Sequence, residues 1–382
     1  MAANFDLTNL AVTGLAPGNE LLYDNAGMPS IMVKIPKMTY KQLGMGESTA
    51  VHPAFIVNGT EVDAIYISKY LNIVQDGRAY SIGGVDPAAG MNFDQARQYC
   101  EAKGEGWHCM TRIEWGLILR WCIANGFLPK GNTSFGKHPS ENVYKAIPTY
   151  KDGDKGTGRT ATGTGPLTWY HDQTPSGIAD LTGNIWEWSG GVRMVYGELQ
   201  ILANNNGADS AHSQSATSAE WKAINAADGT LITPNGSGTT SGSVKADHIN
   251  NKLVWSTNIT VKKDESDYET EAQIECDSTI KDGAKLWLYN LGFLEYLGDT
   301  LEDGNGCWFN NGAAERCFFS GGNWGGSSCG LASFDGDDPR SYAVGELGLP
   351  LRFCETAHCL TVTCLLCDST ARSLDPAKRG RL

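Results

Sequence analysis

The sequence predicts an α+β protein that consists of short strands, long loops and few helices. The chain of 382 residues contains 46 glycines and 11 tryptophans. This composition is typical of a loop-rich protein with aromatic packing and unlike that of a helical bundle. The apolar residues occur mainly in short β-branched runs, which favour strands, and two segments have helical spacing.

Five segments carry the signals of strands. Residues Ser30–Tyr40 alternate between apolar and polar side chains, which predicts a strand. The runs Ala54–Gly59 and Ala64–Tyr70 are separated by a short, mostly polar stretch, and this pattern predicts a hairpin. Further strands are expected in Lys252–Val261 and Lys285–Leu294.

The first predicted helix begins near Phe93. Phe93, Ala96, Tyr99 and Cys100 would share one face of this helix, and Gly104 stands where it would end.

The second predicted helix has a clearer start signal. Thr111 and Glu114 have the spacing of a capping box, in which each side chain bonds the backbone N–H of the other residue. Ile113, Leu117 and Trp121 follow at intervals of four residues and would form its buried stripe.

Composition also suggests how the chain is divided. We expect an N-terminal segment of strands and loops (1–50), a main domain (51–353) and a C-terminal tail (354–382). Residues 150–168 and 203–250 lack apolar periodicity and are rich in Gly, Ser, Thr or Asn. They are predicted to be a long loop and a polar insertion with a functional role or high mobility.

Charge and hydropathy exclude several classes of protein. The 30 Lys and Arg residues against 43 Asp and Glu residues leave a net charge of −13, which argues against nucleic-acid binding. The apolar runs are shorter than the roughly 18 residues of a membrane helix, so no membrane insertion is expected. The first residues lack the features of a signal peptide, which predicts synthesis and folding in a cytoplasm. The 11 cysteines are too dilute for a disulfide scaffold, so most are expected to be reduced core residues.

Three segments together suggest a family. They are Gly106–Cys122, Gly177–Arg193 and Phe318–Phe353, and the second contains the signature G-N-x-W-E-W. Their order and spacing resemble the formylglycine-generating-enzyme (sulfatase-modifying-factor) branch of the C-type lectin fold. Within that branch, Phe318–Phe353 resembles the variable region of a diversity-generating-retroelement target protein. The resemblance implies a C-type-lectin-like α+β fold with long loop insertions.

The resemblance also implies a function. Such variable proteins are typically phage tail receptor-binding proteins or bacterial surface ligand-binders. We therefore expect a protein that is made in a bacterial cytoplasm, acts on a virion or cell surface, and binds a protein or glycan receptor of a bacterial surface. Trimers occur among phage relatives, so a homo-oligomer is compatible with the resemblance. Two alternatives stay open: a divergent oxidase of the same fold, and a structural virion protein of fixed sequence.

Segment Phe318–Phe353 separates into scaffold and variable positions. Glycines would form tight turns, and a tryptophan would fill a core pocket. The expected scaffold residues are Gly321, Gly322, Trp324, Gly330, Pro339, Arg340 and Arg352.

The positions between these anchors have the composition that the family's diversification produces. In the family they are commonly Asn codons, and adenine-directed substitution of the first two bases gives Asp, Ser, Gly, Tyr, Cys or Val, among others. All six types occur here; the alternative is a Gly-rich surface loop of fixed sequence. The expected ligand-binding positions are Asn323, Gly325, Gly326, Ser328, Cys329, Asp335, Asp337, Asp338, Tyr342 and Val344.

Oxidase activity would need a pair of cysteines in this region. By the spacing of the family, they would fall near Gly326 and Leu331, but the chain has a single nearby cysteine, Cys329. Thiolates would bind copper or exchange electrons. The resemblance therefore predicts no oxidase activity here.

Two other clusters contain side chains that bind metals. Relatives bind calcium near the G-N-x-W-E-W motif, and Asp180, Asn184 and Glu187 supply oxygen atoms that calcium prefers. The alternative is that Asn184 and Glu187 hold backbone turns while the tryptophans pack inward.

The tail contains the second cluster. Its side chains would either bind zinc or form a buried apolar end followed by a basic tail. They are Cys354, His358, Cys359, Cys364 and Cys367.

Overall fold

The G-N-x-W-E-W motif lies at the centre of the larger of two main sheets. The structure is a computed structural model, and it describes residues 5–141, 146–250, 252–264, 270–271, 274–294 and 306–354. The fold is mixed α+β and mostly sheet, as predicted at that level. The described residues contain the helices α1 (Phe5–Leu15), α2 (Phe93–Glu101), α3 (Arg112–Ala124) and α4 (Asp282–Asn290).

The strands are short and are distributed along the whole described chain. The first ten are β1 (Asn19–Tyr23), β2 (Pro29–Pro36), β3 (Ile56–Val57), β4 (Thr60–Glu61), β5 (Ala64–Ser68), β6 (Asn72–Gln75), β7 (Arg78–Ser81), β8 (Trp107–Cys109), β9 (Trp186–Val195) and β10 (Glu198–Ile201). The others are β11 (Lys222–Ile224), β12 (Leu231–Ile232), β13 (Lys245–Ile249), β14 (Lys252–Ser256), β15 (Thr270–Glu271), β16 (Ile274–Cys276), β17 (Cys307–Phe309), β18 (Arg316–Ser320), β19 (Phe334–Gly336), β20 (Leu347–Gly348) and β21 (Leu351–Cys354).

The smaller main sheet joins the two ends of the described chain. Its strand order is β1-β2-β5-β21-β8, and all its neighbours are antiparallel. Strand β21 therefore lies between β5 and β8, and Arg352 faces Ile67 on one side and His108 on the other. The expected N-terminal segment 1–50 thus shares a sheet with residues of the expected main domain, and it also contains helix α1.

The larger main sheet positions the candidate site. Its path is β15-β17-β19-β18-β9-β10-β13-β14-β16, with β11 and β12 attached beyond β10 and β20 attached to β9. Strands β18 and β20 both pair with β9 near its start, where Ser320 and Gly348 each face Glu187. Segment 318–353 is therefore tied to the G-N-x-W-E-W motif on both sides.

Both predicted helices form. Helix α2 has a capping box of Asn92 and Gln95, and α3 has the predicted box of Thr111 and Glu114. Helix α3 is buried on nearly all sides, so its predicted stripe is only part of its buried surface. A helix that is packed all round is typical of the interior of a large fold.

Two strand predictions are wrong. The hairpin of Ala54–Gly59 with Ala64–Tyr70 does not form, because β3 pairs with β4 while β5 pairs with β2 and β21. Segment Lys285–Leu294 falls largely in helix α4. Its Leu288 and Leu291, together with Ala284, recur every three or four residues and are buried, which is the spacing of a helix face.

The polar insertion 203–250 is more regular than its composition suggests. It contributes β11, β12 and β13, and both β11 and β13 pair with β10. The few apolar side chains that hold it, including Trp221 and Val244, are buried. Residues 150–168, by contrast, contain no strand, in agreement with the predicted loop.

Candidate functional site

The G-N-x-W-E-W motif forms the turn that leads into β9. Asn184 has a left-handed backbone (φ +67°) and is fully buried. Its side-chain oxygen accepts hydrogen bonds from the backbone N–H of Thr160 (2.8 Å) and the amide of Asn132 (3.3 Å). Its own amide donates to the carbonyl oxygen of Thr160 (3.0 Å). Asn184 therefore links this turn to two loops.

Glu187 of the motif and Asp180, which precedes the motif, are also buried. Burial raises the pKa of Asp180 to about 6, against the effect of the Gly163 N–H, which donates to this carboxylate (2.6 Å). Burial likewise raises the pKa of Glu187 to about 7, although the charge of Arg352 opposes this shift. Both side chains hold a proton more tightly than an exposed carboxylate does.

These residues do not fit a calcium site. The Asn184 oxygen is already bonded to two N–H groups, and calcium needs about six to eight oxygen ligands. In the part of the chain that the structure describes, no group of three or more His, Cys, Asp or Glu side chains is placed to hold a metal ion. The geometry favours the alternative in which the motif holds backbone turns.

An aromatic layer covers one face of the sheet beneath segment 318–353. The ring centroids of Trp186 and Phe319 lie 5.2 Å apart, and those of Trp188 and Phe319 lie 5.1 Å apart. Trp308 meets Trp186 edge-on at 5.7 Å. Tyr342 stacks on Phe319, with 6.4 Å between centroids and 14° between the ring planes. Because edge-to-face and offset-stacked aromatic pairs are favourable, this layer stabilises the face of the sheet on which the loops of segment 318–353 pack.

Buried anchors hold the ends of the segment. Trp324 is only 5% exposed, packs against Leu71 and Ile185, and donates its indole N–H to Asp152 (3.2 Å). Arg352 is buried in β21 and donates to the carbonyl oxygen of Leu351 (2.7 Å). These positions agree with the scaffold role that the sequence predicts.

Gly321 and Gly322 form the turn before Trp324. Their φ angles are +92° and +90°, which side chains rarely allow. A Cβ at Gly322 would lie 2.3 Å from the Cβ of Cys329, so the close approach also requires glycine.

Arg340 connects the segment to two other elements. Its guanidinium group donates to both oxygens of Glu315 (3.0 Å each) and to Asp94 of helix α2 (2.8 Å). It also lies 4.8 Å from the ring centroid of Phe93. These contacts stabilise the charged form, so the pKa of Arg340 lies above its ordinary value. Arg340 therefore links three parts of the chain, which agrees with the scaffold role that the sequence predicts.

Most of the predicted ligand-binding positions are accessible. Gly325 and Ser328 are exposed, and six others are half-buried. The half-buried positions are Asn323, Gly326, Asp337, Asp338, Tyr342 and Val344. Asn323 bonds Glu346, which brings the 321–333 and 337–346 loops together.

Two predicted positions do not face solvent. Cys329 is 6% exposed and packs with the aromatic layer, and burial raises the pKa of its thiol to about 12. Asp335 is also 6% exposed, because it lies in β19 opposite Phe319 and Trp308. Neither position was recognisable as buried, because Asp335 is buried by pairing with distant strands and Cys329 by packing against the Gly322 turn and the aromatic layer.

The carboxylates of the segment interact with one another. Burial raises the pKa of Asp335 well above its ordinary value, and the charge of Asp338 raises it further. Burial also raises the pKa of Asp338 to about 6; Asp337 adds to this shift and Arg316 opposes it. A positively charged partner would relieve this repulsion.

The structure adds residues to the edge of the site that the sequence analysis missed. Arg159 lies in the predicted loop and donates to both oxygens of Asp86 (3.1 and 2.9 Å) and to the carbonyl oxygen of Gly345 (2.9 Å). Tyr150 from the same loop lies 5.7 Å from Trp324, centroid to centroid. The sequence signal that could have indicated this contact is the presence of an arginine and a tyrosine in a loop that otherwise contains mainly small polar residues.

The tail can be described only in part. Cys354 is buried at the end of β21. His358, Cys359, Cys364 and Cys367 lie outside the described residues, so the zinc and apolar interpretations both stay predictions. Seven of the eight cysteines that the structure describes are buried.

Comparison with known proteins gives weak similarities. No protein-family model matches the chain, and no curated protein matches it. A solved structure, "Structure of PvdO from Pseudomonas aeruginosa", has 12% identity and a TM-score of 0.36, covering 89% of this chain and 99% of that one. Another, "Treponema denticola variable protein 1", has 10% identity and a TM-score of 0.31, covering 89% of this chain and 100% of that one. Among the described helices, none combines the length and apolar character needed to span a membrane.

Proposed function

We propose that this is a ligand-binding protein that displays a variable site, segment 318–353, on a C-type-lectin-like scaffold. The observation that carries the proposal is the division within this segment. Trp324, Arg340 and Arg352 are held by packing or hydrogen bonds, whereas eight of the ten expected variable positions are exposed or half-buried. Such a division allows surface side chains to change without loss of the fold.

The receptor that we propose is a protein or glycan of a bacterial surface, and its contacting group is basic. Asp337 and Asp338 stand beside Tyr342, whose ring supplies contact area at a low entropic cost. The protein would act on a phage tail or a cell surface, and a homo-oligomer would add avidity to weak single sites. These assignments rest on the resemblance together with the chemistry of the segment.

We do not propose oxidase activity. A reactive cysteine needs a low pKa, and burial has the opposite effect on Cys329. The family's pair of cysteines would fall near Gly326 and Leu331, and neither of these residues is a cysteine.

The decisive test of variability is genomic. We expect a near-copy of the codons for residues 318–353 close to the gene, beside a reading frame for a reverse transcriptase. The copy should differ from the gene only where it has adenine. A complete genome sequence without such a copy would favour the structural virion protein of fixed sequence.

The preference for a basic group can be tested with a tetralysine peptide. The double variant Asp337→Asn and Asp338→Asn should bind it about tenfold more weakly at pH 7, because two charge-assisted contacts are lost. The control is Glu47→Gln with Asp63→Asn, which removes the same charge from exposed positions elsewhere. Equal weakening in both variants would indicate a general effect of net charge and contradict a local site.

A further inference from the structure

A polar cleft opens beside the turn between β9 and β10. Its volume is about 460 Å³, within the range of roughly 300–1,000 Å³ that small-molecule sites have. Tyr196, the loop Ser237–Gly242 and the segment Thr257–Ile259 form its walls, together with Lys245 and Lys262. The cleft shares no residue with segment 318–353 and includes part of the 203–250 insertion.

The walls are rich in groups that bind hydroxyls. Five lining side chains carry a hydroxyl group on an aliphatic carbon, and Asn258 adds an amide. Ser237 and Thr239 bond each other (2.9 Å) and both bond the Asn235 side chain (3.1 and 2.8 Å), whereas each hydroxyl has one donor and two acceptor sites in all. The cleft therefore retains capacity to bond a ligand with several hydroxyl groups.

The charge at the cleft is positive. Lys245 is buried and donates to the carbonyl oxygens of Thr240 (2.9 Å) and Thr257 (3.1 Å) and to the Ser243 hydroxyl (2.8 Å). Lys262 is exposed, with its ammonium group 5.4 Å from the ring centroid of Tyr196.

The described lining residues include no carboxylate. Burial lowers the pKa of Lys245. Glu198, which opposes this shift, is fully buried behind Ser243 and accepts that residue's hydroxyl (2.7 Å). An anionic ligand would therefore meet the Lys262 ammonium group at the cleft without a facing carboxylate.

The aromatic ring at this site belongs to a residue with an unfavourable backbone conformation. Tyr196 and Gly197 occupy the turn with φ angles of +47° and +81°, values that favour glycine and asparagine over a bulky residue. Gly238 packs directly on this turn, because a Cβ there would lie 2.6 Å from the Cβ of Tyr196. Backbone conformations of this kind cluster at functional sites.

We infer that this cleft binds an anionic saccharide unit, a sugar that carries a carboxylate or phosphate group. Lys262 would bind the anionic group, the Tyr196 ring would contact the apolar face of the sugar, and the hydroxyl and amide side chains would bond its hydroxyls. The inference is independent of segment 318–353, so either site can fail its test alone.

Titration calorimetry with D-glucuronate, D-glucose and acetate tests the inference. D-glucuronate and D-glucose share a pyranose ring and differ in the carboxylate, whereas acetate has the carboxylate alone. We expect D-glucuronate to bind about tenfold more tightly than either. Lys262→Gln should remove most of that difference, and Lys41→Gln, which changes an exposed lysine elsewhere, should leave it intact.

A second variant tests the aromatic contact. Tyr196→Asn keeps a residue that tolerates the left-handed turn, so the fold should persist while affinity for D-glucuronate falls about tenfold. Equal binding of acetate and D-glucuronate would overturn the saccharide assignment. Unchanged D-glucuronate binding in Lys262→Gln, or no binding of D-glucuronate or glucose 6-phosphate at about 10 mM, would overturn the site itself.

Discussion

Segment 318–353 contains two sets of residues that differ in their surroundings. The anchor set, Trp324, Arg340 and Arg352, contacts other parts of the chain through packing, ion pairs and backbone hydrogen bonds. The display set, represented by Asp337 and Asp338, lies half-buried at the surface. The difference shows how a long loop can keep one conformation when only a few of its side chains determine that conformation.

The two sets also differ in electrostatics. Arg340 is surrounded by Glu315 and Asp94, so its charge is compensated within the protein. Asp338 lies near Asp337, and its pKa is raised to about 6, mainly by burial. The charge of Arg340 is therefore compensated by the carboxylates around it, whereas Asp338 lies next to a second carboxylate, Asp337, that raises its pKa further.

The largest effect should come from truncating the buried aromatic anchor. Trp324→Ala should lower the free energy of unfolding by about 3–5 kcal/mol, because it removes a buried ring and leaves a cavity. Tyr342→Ala, the truncation of a half-buried ring, should cost about 1 kcal/mol. Urea unfolding curves measure both values, and similar losses would abolish the distinction between the two sets.

The next largest effect should come from removing the charge of Arg340. Arg340→Gln should destabilise the fold by about 2–3 kcal/mol, because the largely buried Glu315 and the backbone it orders lose a charged partner. Arg97→Gln is a matched control, since it removes the pair with Glu101 within helix α2 and a 6.0 Å contact with the Phe93 ring, and it should cost about 0.5 kcal/mol. An equal cost in thermal or urea unfolding would show that Arg340 is no more than a surface ion pair.

A pH-dependent effect should come from Glu187 beneath the segment. Its pKa is about 7 in the folded protein against an ordinary value of 4.5, so the folded state holds the proton more tightly. Its contribution to stability is full below about pH 4.5 and is lost as pH rises to about 7. One pKa unit corresponds to about 1.4 kcal/mol, and the shift already includes the attraction of Arg352. Glu187→Gln should therefore be more stable than wild type above pH 7 by about 3 kcal/mol.

The two stability curves for Glu187→Gln and wild type should converge below pH 4.5. Asp180, with a pKa of about 6, titrates within the same pH range, and its charge contributes to the raised pKa of Glu187. Urea unfolding at several pH values measures the curves. Parallel curves between pH 4 and 8 would show that Glu187 does not bind a proton on this range.

The smallest effect should come from the display set. Ser328→Ala and Asp337→Asn should each change the free energy of unfolding by no more than about 0.5 kcal/mol, since surface substitutions rarely do more. Differential scanning calorimetry would check both variants. A loss comparable to that of Arg340→Gln would move these residues into the anchor set.

Some of this structure is determined by signals that lie close together in the chain. The start of α3 depends on Thr111 and Glu114, three residues apart, whose reciprocal bonds form in the structure. Gly321 and Gly322 were recognisable as turn residues because glycine alone tolerates their backbone conformation at no cost. The scaffold roles of Trp324 and Arg352 follow similarly from their residue types.

Other features depended on partners far away in sequence. Asp335 is buried because it lies in β19, between Trp308 and Phe319 of the neighbouring strands. The contact of Arg159 with Gly345 joins residues 186 positions apart. No local pattern records such pairings.

The sequence by itself determined the α+β class, helices α2 and α3, and the anchor roles of Trp324 and Arg352 in segment 318–353. Only the tertiary structure decided that β5 pairs with β2 and β21, and that Lys285–Leu294 lies largely in helix α4. The physical reason is that capping and turn preferences act within a few residues. Strand partners and burial are instead chosen by packing across the whole fold, which can override local propensity.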